Sequence, residues 1–257
     1  MSIKFTILGC GSSLGIPRID GFFGKCNHKN KKNYRTRCSA LVSSKSKNVL
    51  IDTSPDIKTQ LLKHKVGNID KVFYTHPHAD QTHGINELRV FYLKNKKKLN
   101  VFADKFTKKY LLKTFNYCFV STKHYPATLR MNDLKKKHSY KDFKDKITFN
   151  CITVQHGLIK SICYIINKKC AYVSDVSKIY NKDFKYFNNL NYLVIDCLRY
   201  NSHPSHFNLN DVLNFVKIVN PKKTILTNLN IDMDYNKLKR KLPKRVIPAH
   251  DGLTFNI

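Results

Sequence analysis

Three histidines and one aspartate lie within eight residues, in the segment THPHADQTHG at positions 75–84. The segment directly follows KVFY, an apolar stretch that is typical of a short β-strand. His76, His78 and Asp80 stand at alternate positions, so their side chains can converge on one cation where the strand runs into a turn. Neutral imidazole suits Zn, Mn or Fe, and a carboxylate adds the negative charge that divalent ions favour. The segment therefore predicts a divalent metal site at the end of a strand.

Short apolar segments alternate with helical patterns along most of the chain. PDIKTQLLKH predicts a helix with Ser54 as its N-cap and Pro55 near its start, and FNLNDVLNFVKIVNPKK predicts a helix that ends near Asn220. Several strand-like segments end in Asp, His, Thr or Asn, and α/β proteins bind ligands at such strand ends. Strands are predicted for the first residues, IKFTILG, and for KVFYTH, LNVFAD, KITFNCITV, SICYII, CAYVSD, NYLVIDC and KKTILTN.

Chain length, hydrophobic fraction and net charge limit the classes of protein to which the chain can belong. The chain has 257 residues, of which 42% are hydrophobic, so it can bury a sizeable core and is not expected to be disordered. It contains 47 Lys and Arg against 17 Asp and Glu, and the net charge of +30 favours anionic ligands, nucleic acids included. Compositional drift toward Lys, Asn, Ile, Tyr and Phe explains the same excess. The charge alone therefore does not identify a partner.

The chain has no segment that predicts export or membrane insertion. No apolar run approaches the roughly 18 residues of a membrane span, and MSIKFTILGCG suits a β-strand better than a secretory leader. The eight cysteines are dispersed without a C-x-x-C pair, which disfavours a zinc ribbon. We expect a cytoplasmic protein with reduced thiols and no membrane partner, either a monomer or a homodimer. Without a linker rich in Gly, Ser or Pro, one domain is expected over 1–257, with a basic insertion around 115–146.

The histidine segment resembles the H-x-H-x-D-H-x-x-G signature of the metallo-β-lactamase fold superfamily of metallohydrolases. His76, His78, Asp80 and Gly84 match the signature. The resemblance implies an α/β fold, namely a four-layer αββα sandwich in which two mixed β-sheets lie between helices. It covers nearly the whole chain, because further superfamily landmarks follow in the expected order.

These landmarks lie at the ends of predicted strands. Asp52 in LIDTSPD matches an aspartate that orients ligands from behind, His156 in TVQHG matches the third histidine of the first metal site, and Asp175 in YVSD matches an aspartate that bridges two metals. The resemblance therefore implies Zn or Mn as cofactor, with these metal ligands: His76, His78, Asp80, His156 and Asp175.

The chain departs from the superfamily at two positions of the second metal site. Gln81 replaces the fourth histidine of the signature, and Asn228 in ILTNLNID replaces a late histidine. An amide oxygen is a weaker transition-metal ligand than imidazole, so one metal site is expected and the second is left open. His83, two residues after Gln81, and His250, in PAHDG, are the candidates to take over, with substrate contact or a structural role as the alternatives.

Within the superfamily the chain is most similar to the branch that resembles phosphoribosyl 1,2-cyclic phosphate phosphodiesterase. The Gly-rich opening LGCGSSLGIPRI is like the first loop of that branch, and its backbone N–H groups are suited to approach a phosphate. NYRTRCSALV supplies two arginines that can meet an anionic substrate. The implied substrate-binding residues are Gly11, Ser12, Arg35, Arg37 and His203.

A histidine motif of the same branch is matched by HPSH at positions 203–206. The resemblance implies that His206 contacts substrate or acts as the general acid for the leaving alkoxide, and that Asp80 is the second catalytic residue. The clustered cysteines that hold a structural zinc in that branch are missing, since only Cys26 follows the first loop. No structural zinc is therefore expected.

These residues predict a metal-dependent hydrolase of a phosphodiester, a small cyclic or nucleotide-like phosphate ester, that works through a metal-activated hydroxide. Nucleic acid is not a required partner. Three alternatives stay open: a ribonuclease of the tRNA-processing type on the same scaffold, a non-catalytic module that binds a metal or nucleotide, and a thioester or lactone hydrolase.

Overall fold

The structure, a computed structural model, describes residues 3–142 and 145–257. Its strands are β1 (Lys4–Gly9), β2 (Ser39–Ser43), β3 (Asn48–Ile51), β4 (Lys71–Phe73), β5 (Leu99–Ala103), β6 (Leu129–Asp133), β7 (Lys137–Asp142), β8 (Asp145–His156), β9 (Ile159–Ile166), β10 (Cys170–Val173), β11 (Tyr192–Asp196), β12 (Lys223–Thr227), β13 (Val246–Pro248) and β14 (Thr254–Asn256). Its helices are α1 (Ile57–Lys63), α2 (Ala79–Thr82), α3 (Arg89–Asn95), α4 (Lys105–Thr114), α5 (Asn116–Phe119), α6 (Leu209–Val219) and α7 (Tyr235–Lys241), with 3₁₀ turns at Lys31–Asn33, Ile85–Leu88 and Asn181–Tyr186.

The strands form two mixed sheets of seven strands each. The first has the order β14-β1-β2-β3-β4-β5-β6, with parallel pairing from β3 to β6. The second has the order β13-β12-β11-β10-β9-β8-β7, with parallel pairing from β10 to β13. Each strand predicted from the sequence lies in one of these sheets. The segment 115–146 carries α5 and the strands β6 and β7, which end the first and the second sheet respectively.

Apolar packing divides the molecule into four layers. Between the sheets, the ring of Phe73 in β4 stacks on that of Phe149 in β8 at 5.0 Å between centroids, within one buried cluster drawn from both sheets. A second cluster packs β10, β11 and β12 against α6, and a third packs β3, β4 and β5 against α1, α3 and α4. Strands buried on both faces read as continuous apolar runs, which explains segments such as SICYII and NYLVID. The predicted four-layer αββα sandwich is confirmed.

Helix α6 shows how local sequence sets an element. Asn208 accepts hydrogen bonds from the backbone N–H groups of Asn210 and Asp211, and the Asp211 carboxylate accepts from the Asn208 N–H, which closes a capping box. The helix ends at Asn220, whose left-handed backbone precedes Pro221, as the sequence predicts. None of the helices within residues 3–142 and 145–257 is both long and apolar enough to cross a membrane.

Candidate metal centre

The candidate site lies where strands of both sheets end. In the first sheet, His76 comes shortly after β4. In the second sheet, His156 ends β8, and the residues that follow β10 and β12 include Asp175 and Asn228. Because the two sheets face each other, side chains that are distant in sequence meet at one edge of the sandwich.

Three imidazoles converge at this edge. The Nδ1 atom of His78 lies 3.1 Å from Nε2 of His76 and 3.2 Å from Nε2 of His156. Ligand atoms around a tetrahedral zinc, with bonds of about 2.0–2.1 Å, lie about 3.3 Å from one another. The spacing of the three nitrogens therefore fits a single transition-metal ion, and these three side chains form one of the two metal-competent groups among the described residues.

Hydrogen bonds behind the rings fix which nitrogen faces the centre. Nδ1 of His156 donates to the backbone oxygen of Ser205 at 2.6 Å, so its Nε2 lone pair is free. The buried Asp52 accepts the Thr75 backbone N–H at 2.7 Å and the Thr75 hydroxyl at 2.8 Å. The Thr75 oxygen, 3.0 Å from Nδ1 of His76, then accepts the proton of that ring. Asp52 thus orients a ligand from behind, as predicted.

The electrostatic surroundings keep the three rings neutral. Burial lowers the pKa of His76 to about 3, and burial also lowers the pKa of His78 and of His156. Neutral imidazole is the form that binds a metal, so no proton has to be displaced from the rings at neutral pH. The donor set His76, His78 and His156 therefore fits a divalent cation.

Asp80 and Asp175 lie beside the histidines, together with the two amides. Asp175 is buried, and its Oδ2 accepts the Ser174 hydroxyl at 2.6 Å. Nε2 of Gln81 lies 3.3 Å from a carboxylate oxygen of Asp80 and 3.3 Å from one of Asp175. Burial and the charge of Asp175 raise the pKa of Asp80 to about 6. The structure therefore brings together all five predicted metal ligands.

His206 faces the same centre and is held from behind by a carboxylate. Its ring lies 4.7 Å from that of His156, and its Nδ1 is 2.8 Å from an oxygen of the buried Asp196. Burial lowers the pKa of His206, but the Asp196 carboxylate more than offsets this effect and raises the pKa to about 9. The hydrogen bond to Asp196 therefore favours the protonated form of the His206 ring.

A pocket of about 290 Å³ opens over these side chains. His203 lies at its wall, with the His203 ring 5.0 Å from that of His206. The pocket is lined by Ser13, His78, Asp80, His156, Asp175, Leu198, His203, Ser205, His206 and Asn228.

Two of the predicted histidines lie away from the centre. His83 is exposed and directs Nε2 to the Tyr110 hydroxyl at 3.0 Å, with its ring against Phe115. His250 lies near the ring of Tyr235, and its Nδ1 is 3.2 Å from the backbone oxygen of Asp251. Neither takes the place of the missing second-site histidines, because each is directed to other partners.

The first loop differs from a phosphate cradle. The Gly11 N–H donates to the Thr36 carbonyl at 2.8 Å, and the Ser12 N–H donates to the Leu229 carbonyl at 3.3 Å. Both predicted donors are therefore already engaged. Gly11 is needed for close packing instead, since a Cβ there would lie 2.7 Å from the Arg35 carbonyl oxygen. Within this loop, Ser13 is the residue that lines the pocket.

The two arginines also have structural partners. Arg35 is 1% exposed, and its Nη2 donates to the Met233 carbonyl at 2.7 Å and to the Asn33 side chain at 3.1 Å. Arg37 forms a two-pronged pair with Asp56, with Nε at 2.7 Å and Nη2 at 2.6 Å. Arg35 is therefore buried in the fold, whereas Arg37 is partly exposed beside Asp56, and neither arginine lines the pocket at the histidines.

We expect Asp56→Asn to lower the free energy of unfolding by about 2 kcal/mol at pH 7, because it breaks a charge-assisted two-pronged pair. Burial raises the pKa of Asp56, but Arg37 outweighs this effect and holds the pKa below its usual range. A lowered folded-state pKa stabilises the fold above about pH 4 and loses that contribution as pH falls through the folded pKa. Urea unfolding of both proteins at pH 7 and pH 3 should show a difference that shrinks at pH 3. An equal difference at both values would contradict the assignment.

The sequence analysis missed Asp196, Ser205 and Thr75 as site residues. Asp196 ends the predicted strand NYLVID, and the position of a carboxylate at a strand end is the pattern that singled out Asp52 and Asp175. Ser205 lies inside the HPSH motif, but it acts through its backbone oxygen, which no side-chain pattern reveals.

Comparison with known proteins defines the class. The family model described as the beta-lactamase superfamily domain matches residues 47–227, well over half of the chain. The chain therefore belongs to this superfamily, as the histidine signature predicts, and shares the metallo-β-lactamase fold, which implies binding of a divalent metal.

Solved structures resemble the chain over its full length. A protein described as "a New Diphosphatase from the PhnP Family" has 28% sequence identity and a TM-score of 0.90, and the match covers 100% of this chain and 98% of that one. This neighbour fits the predicted phosphodiesterase branch. Zn(2+)-bound PqqB from Methylobacterium extorquens has 14% identity and a TM-score of 0.79, covering 99% and 100% of the two chains. Human tRNase Z, short form, has 17% identity and a TM-score of 0.70, covering 98% of each. At these low identities, PqqB and tRNase Z show only that the fold is shared.

A curated relative is longer than this chain. The octanoyltransferase of Porphyromonas gingivalis (strain ATCC BAA-308 / W83) is 25% identical over 256 residues, which is 98% of this chain and 51% of that protein. The chain thus spans about half the length of the curated relative it matches.

Proposed function

We propose that the chain is a metal-dependent hydrolase of a small phosphodiester, cyclic or nucleotide-like. The observation that carries the proposal is the meeting of three neutral imidazoles with the carboxylate-held His206 at one edge of the sandwich. A metal-ligand cluster beside a proton donor is what hydrolysis of a phosphate ester with a poor leaving group requires. The likeness to a diphosphatase supports a phosphorus-centred reaction.

The metal would be Zn or Mn, held by His76, His78 and His156 and flanked by Asp80 and Asp175. When bound, such an ion lowers the pKa of coordinated water and neutralises charge on phosphoryl oxygens. The chain's own contribution is to fix the ligands in place. Ser205 and the Asp52–Thr75 pair hold the rings of His156 and His76 by hydrogen bonds, so the donor atoms do not have to reorganise.

His206 is the proposed general acid. The Asp196 carboxylate holds the Nδ1–H of the ring and keeps the ring protonated, which leaves Nε2 as the atom that delivers a proton to the leaving oxygen. The Val176 N–H also donates to Asp196, at 3.0 Å, and this bond fixes the carboxylate. His203 and Ser13, at the pocket wall, are the proposed substrate contacts.

Pocket size favours a small substrate over a nucleic acid strand. At about 290 Å³ the pocket lies just below the range of roughly 300–1,000 Å³ for small-molecule sites. Surface lysines would favour anions of either kind, so the charge of +30 does not distinguish them. The ribonuclease, the non-catalytic binder and the thioester or lactone hydrolase are therefore outcomes to be tested.

A substrate panel tests the proposal. Protein loaded with Zn or Mn would be assayed with bis(p-nitrophenyl) phosphate, 2′,3′-cyclic nucleotides, a nucleoside diphosphate ester, precursor tRNA and a thioester, with chelated protein as the control. We expect metal-dependent cleavage of a small phosphodiester. Cleavage of precursor tRNA alone, of the thioester alone, or of nothing by metal-loaded protein would contradict the proposal.

A further inference from the structure

Two amides stand at the position that the superfamily resemblance assigns to a second metal. Gln81 is 0% exposed and Asn228 is 1% exposed, so both amides are buried, where each polar group needs a hydrogen-bond partner. Both side chains direct their nitrogen atoms, not their oxygens, to carboxylates. Nδ2 of Asn228 lies 3.2 Å from Oδ1 of Asp175 and 3.1 Å from Oδ1 of Asp196.

The chemistry fixes the orientation of the amides. An amide NH₂ group has two N–H donors and no lone pair for a metal, whereas the amide oxygen has lone pairs. Turning the Asn228 amide by 180° would place its oxygen against two carboxylates, which repel it. Nδ2 of Asn228 also lies 3.3 Å from Nδ1 of His206, but the proton on that nitrogen is donated to Asp196 at 2.8 Å, so the carboxylates decide the orientation of the amide. The same holds for Gln81, whose nitrogen lies between Asp80 and Asp175. The N–H groups thus supply the partial positive charge that this buried cluster of carboxylates needs.

Asp175, which matches the aspartate that bridges two metals in the superfamily, already accepts hydrogen bonds at both carboxylate oxygens. Its Oδ1 accepts from Asn228, and its Oδ2 accepts from Ser174 and from Gln81. Nδ1 of His206 also lies close, at 3.7 Å from Oδ1 of Asp175. A second divalent ion would have to displace these donors and would gain no imidazole from positions 81 and 228.

The second metal-competent group among the described residues, His156, Asp175 and His206, shares His156 with the first group. Nδ1 of His156 is bonded to the Ser205 oxygen and its Nε2 faces the first centre, so this group offers no independent set of ligands. The residues present therefore do not fit a second metal.

One buried oxygen atom could still bind a second metal. Oε1 of Gln81 is buried without a hydrogen-bond partner among the described residues. A single amide oxygen is a weak ligand for Zn, and a water molecule can satisfy it with one O–H. It therefore does not make a second site by itself.

We infer that this chain holds one divalent cation, and that the amide N–H groups of Gln81 and Asn228 replace the second cation of the superfamily. Restoring histidines at both positions would rebuild the second site, because imidazole lone pairs would then face Asp80 and Asp175. The inference concerns binding stoichiometry and holds whichever substrate the chain acts on.

The test is a metal titration with readouts that do not depend on turnover. Metal-free protein would be titrated with Zn under native mass spectrometry, and with Mn under electron paramagnetic resonance, for wild type, for Gln81→His with Asn228→His, and for Asn86→His. Asn86 is exposed close to Gln81 in sequence, so this control adds a histidine outside the site. We expect one tightly bound equivalent and the signal of an isolated Mn ion in wild type and control, and two equivalents with a spin-coupled signal in the double variant.

The wild-type result decides the inference even if the double variant does not fold. Two equivalents bound by wild type with similar affinity would overturn it, and so would a coupled Mn pair. A folded double variant that still binds one equivalent would also contradict it, because the amides would then not be the cause. Failure of the substrate panel would leave all of these stoichiometries unchanged, so the two proposals fail separately.

Discussion

Replacing His78 by Ala is expected to remove the bound cation and to lower turnover of a phosphodiester by at least about a thousandfold. Nδ1 of His78 is the atom that approaches both of the other imidazoles, so its loss breaks the set of three imidazole ligands that holds the cation. A cation contributes several kcal/mol to such a reaction, and each 1.4 kcal/mol is a factor of about ten in rate. Because His78 is exposed, the free energy of unfolding should change by about 0.5 kcal/mol or less.

His83→Ala is the matched control for this variant. His83 belongs to the same short motif but contacts Tyr110 and Phe115 outside the centre. We expect it to keep the metal and to retain turnover within about twofold, as is typical of surface substitutions. Metal content measured by mass spectrometry and initial rates would be compared for both variants. Equal losses in the two, or retained metal in His78→Ala, would contradict the assignment of ligands.

Replacing His206 by Ala is expected to slow cleavage of an alkyl phosphodiester about 10²–10⁴-fold while the metal stays bound. The reason is that an alkoxide leaving group must be protonated as it departs, and His206 is the protonated group in the pocket. p-Nitrophenolate leaves without a proton, so the same variant should lose about tenfold or less with bis(p-nitrophenyl) phosphate. The measurement is the ratio of kcat for a 2′,3′-cyclic nucleotide to kcat for the p-nitrophenyl ester.

Asp196→Asn separates positioning from proton donation. The amide can still contact Nδ1 of His206 but no longer carries the charge that keeps the ring protonated. We expect a loss on the alkyl substrate that is intermediate between wild type and His206→Ala, with little loss on the p-nitrophenyl ester. Equal losses on both substrates in either variant would show that His206 binds the phosphate or supports the fold, and would rule out the acid role.

The layered fold could be predicted because the apolar pattern is strong. SICYII and NYLVID are apolar on both faces, and in the structure they lie in a sheet covered by the other sheet on one side and by α6 on the other. The end of α6 near Asn220 was also predicted, whereas the N-cap of α1 is Asp56 and not the expected Ser54. The ends of the sheets were harder to predict, since β6 and β7 arise from the basic segment 115–146, which we expected to be an insertion.

The convergence of the candidate metal ligands could be predicted, whereas the directions of the candidate substrate-binding groups could not. Metal ligands can be recognised in a sequence by their residue type and by their position at the ends of strands. His76, His156 and Asp175 have both features, and they lie together at one edge of the sandwich. Arg35 and Arg37 have a suitable residue type, but their direction depends on partners distant in sequence, namely Met233 and Asp56. For Gly11 and Ser12 the sequence does not show which acceptors the backbone N–H groups meet, because those acceptors come together only in the folded chain.

The amides at positions 81 and 228 show what residue type alone leaves open. The sequence alone allows two interpretations of Gln81 and Asn228: either their amide oxygens bind a second metal weakly, or they do not bind a metal at all. The structure distinguishes these alternatives by direction, because the nitrogen of each amide lies between two carboxylates. A buried side chain that neutralises charge is a different functional element from a weak metal ligand.

The most direct test of the account is the rate of phosphodiester hydrolysis as metal is added stepwise to metal-free protein. Bis(p-nitrophenyl) phosphate is the substrate, because its cleavage does not need the proton of His206. The account predicts a rate that rises in proportion to Zn or Mn and stops rising at one equivalent per chain. A protein that binds the metal and cleaves nothing at any ratio, or a rate that appears only beyond one equivalent, would contradict it.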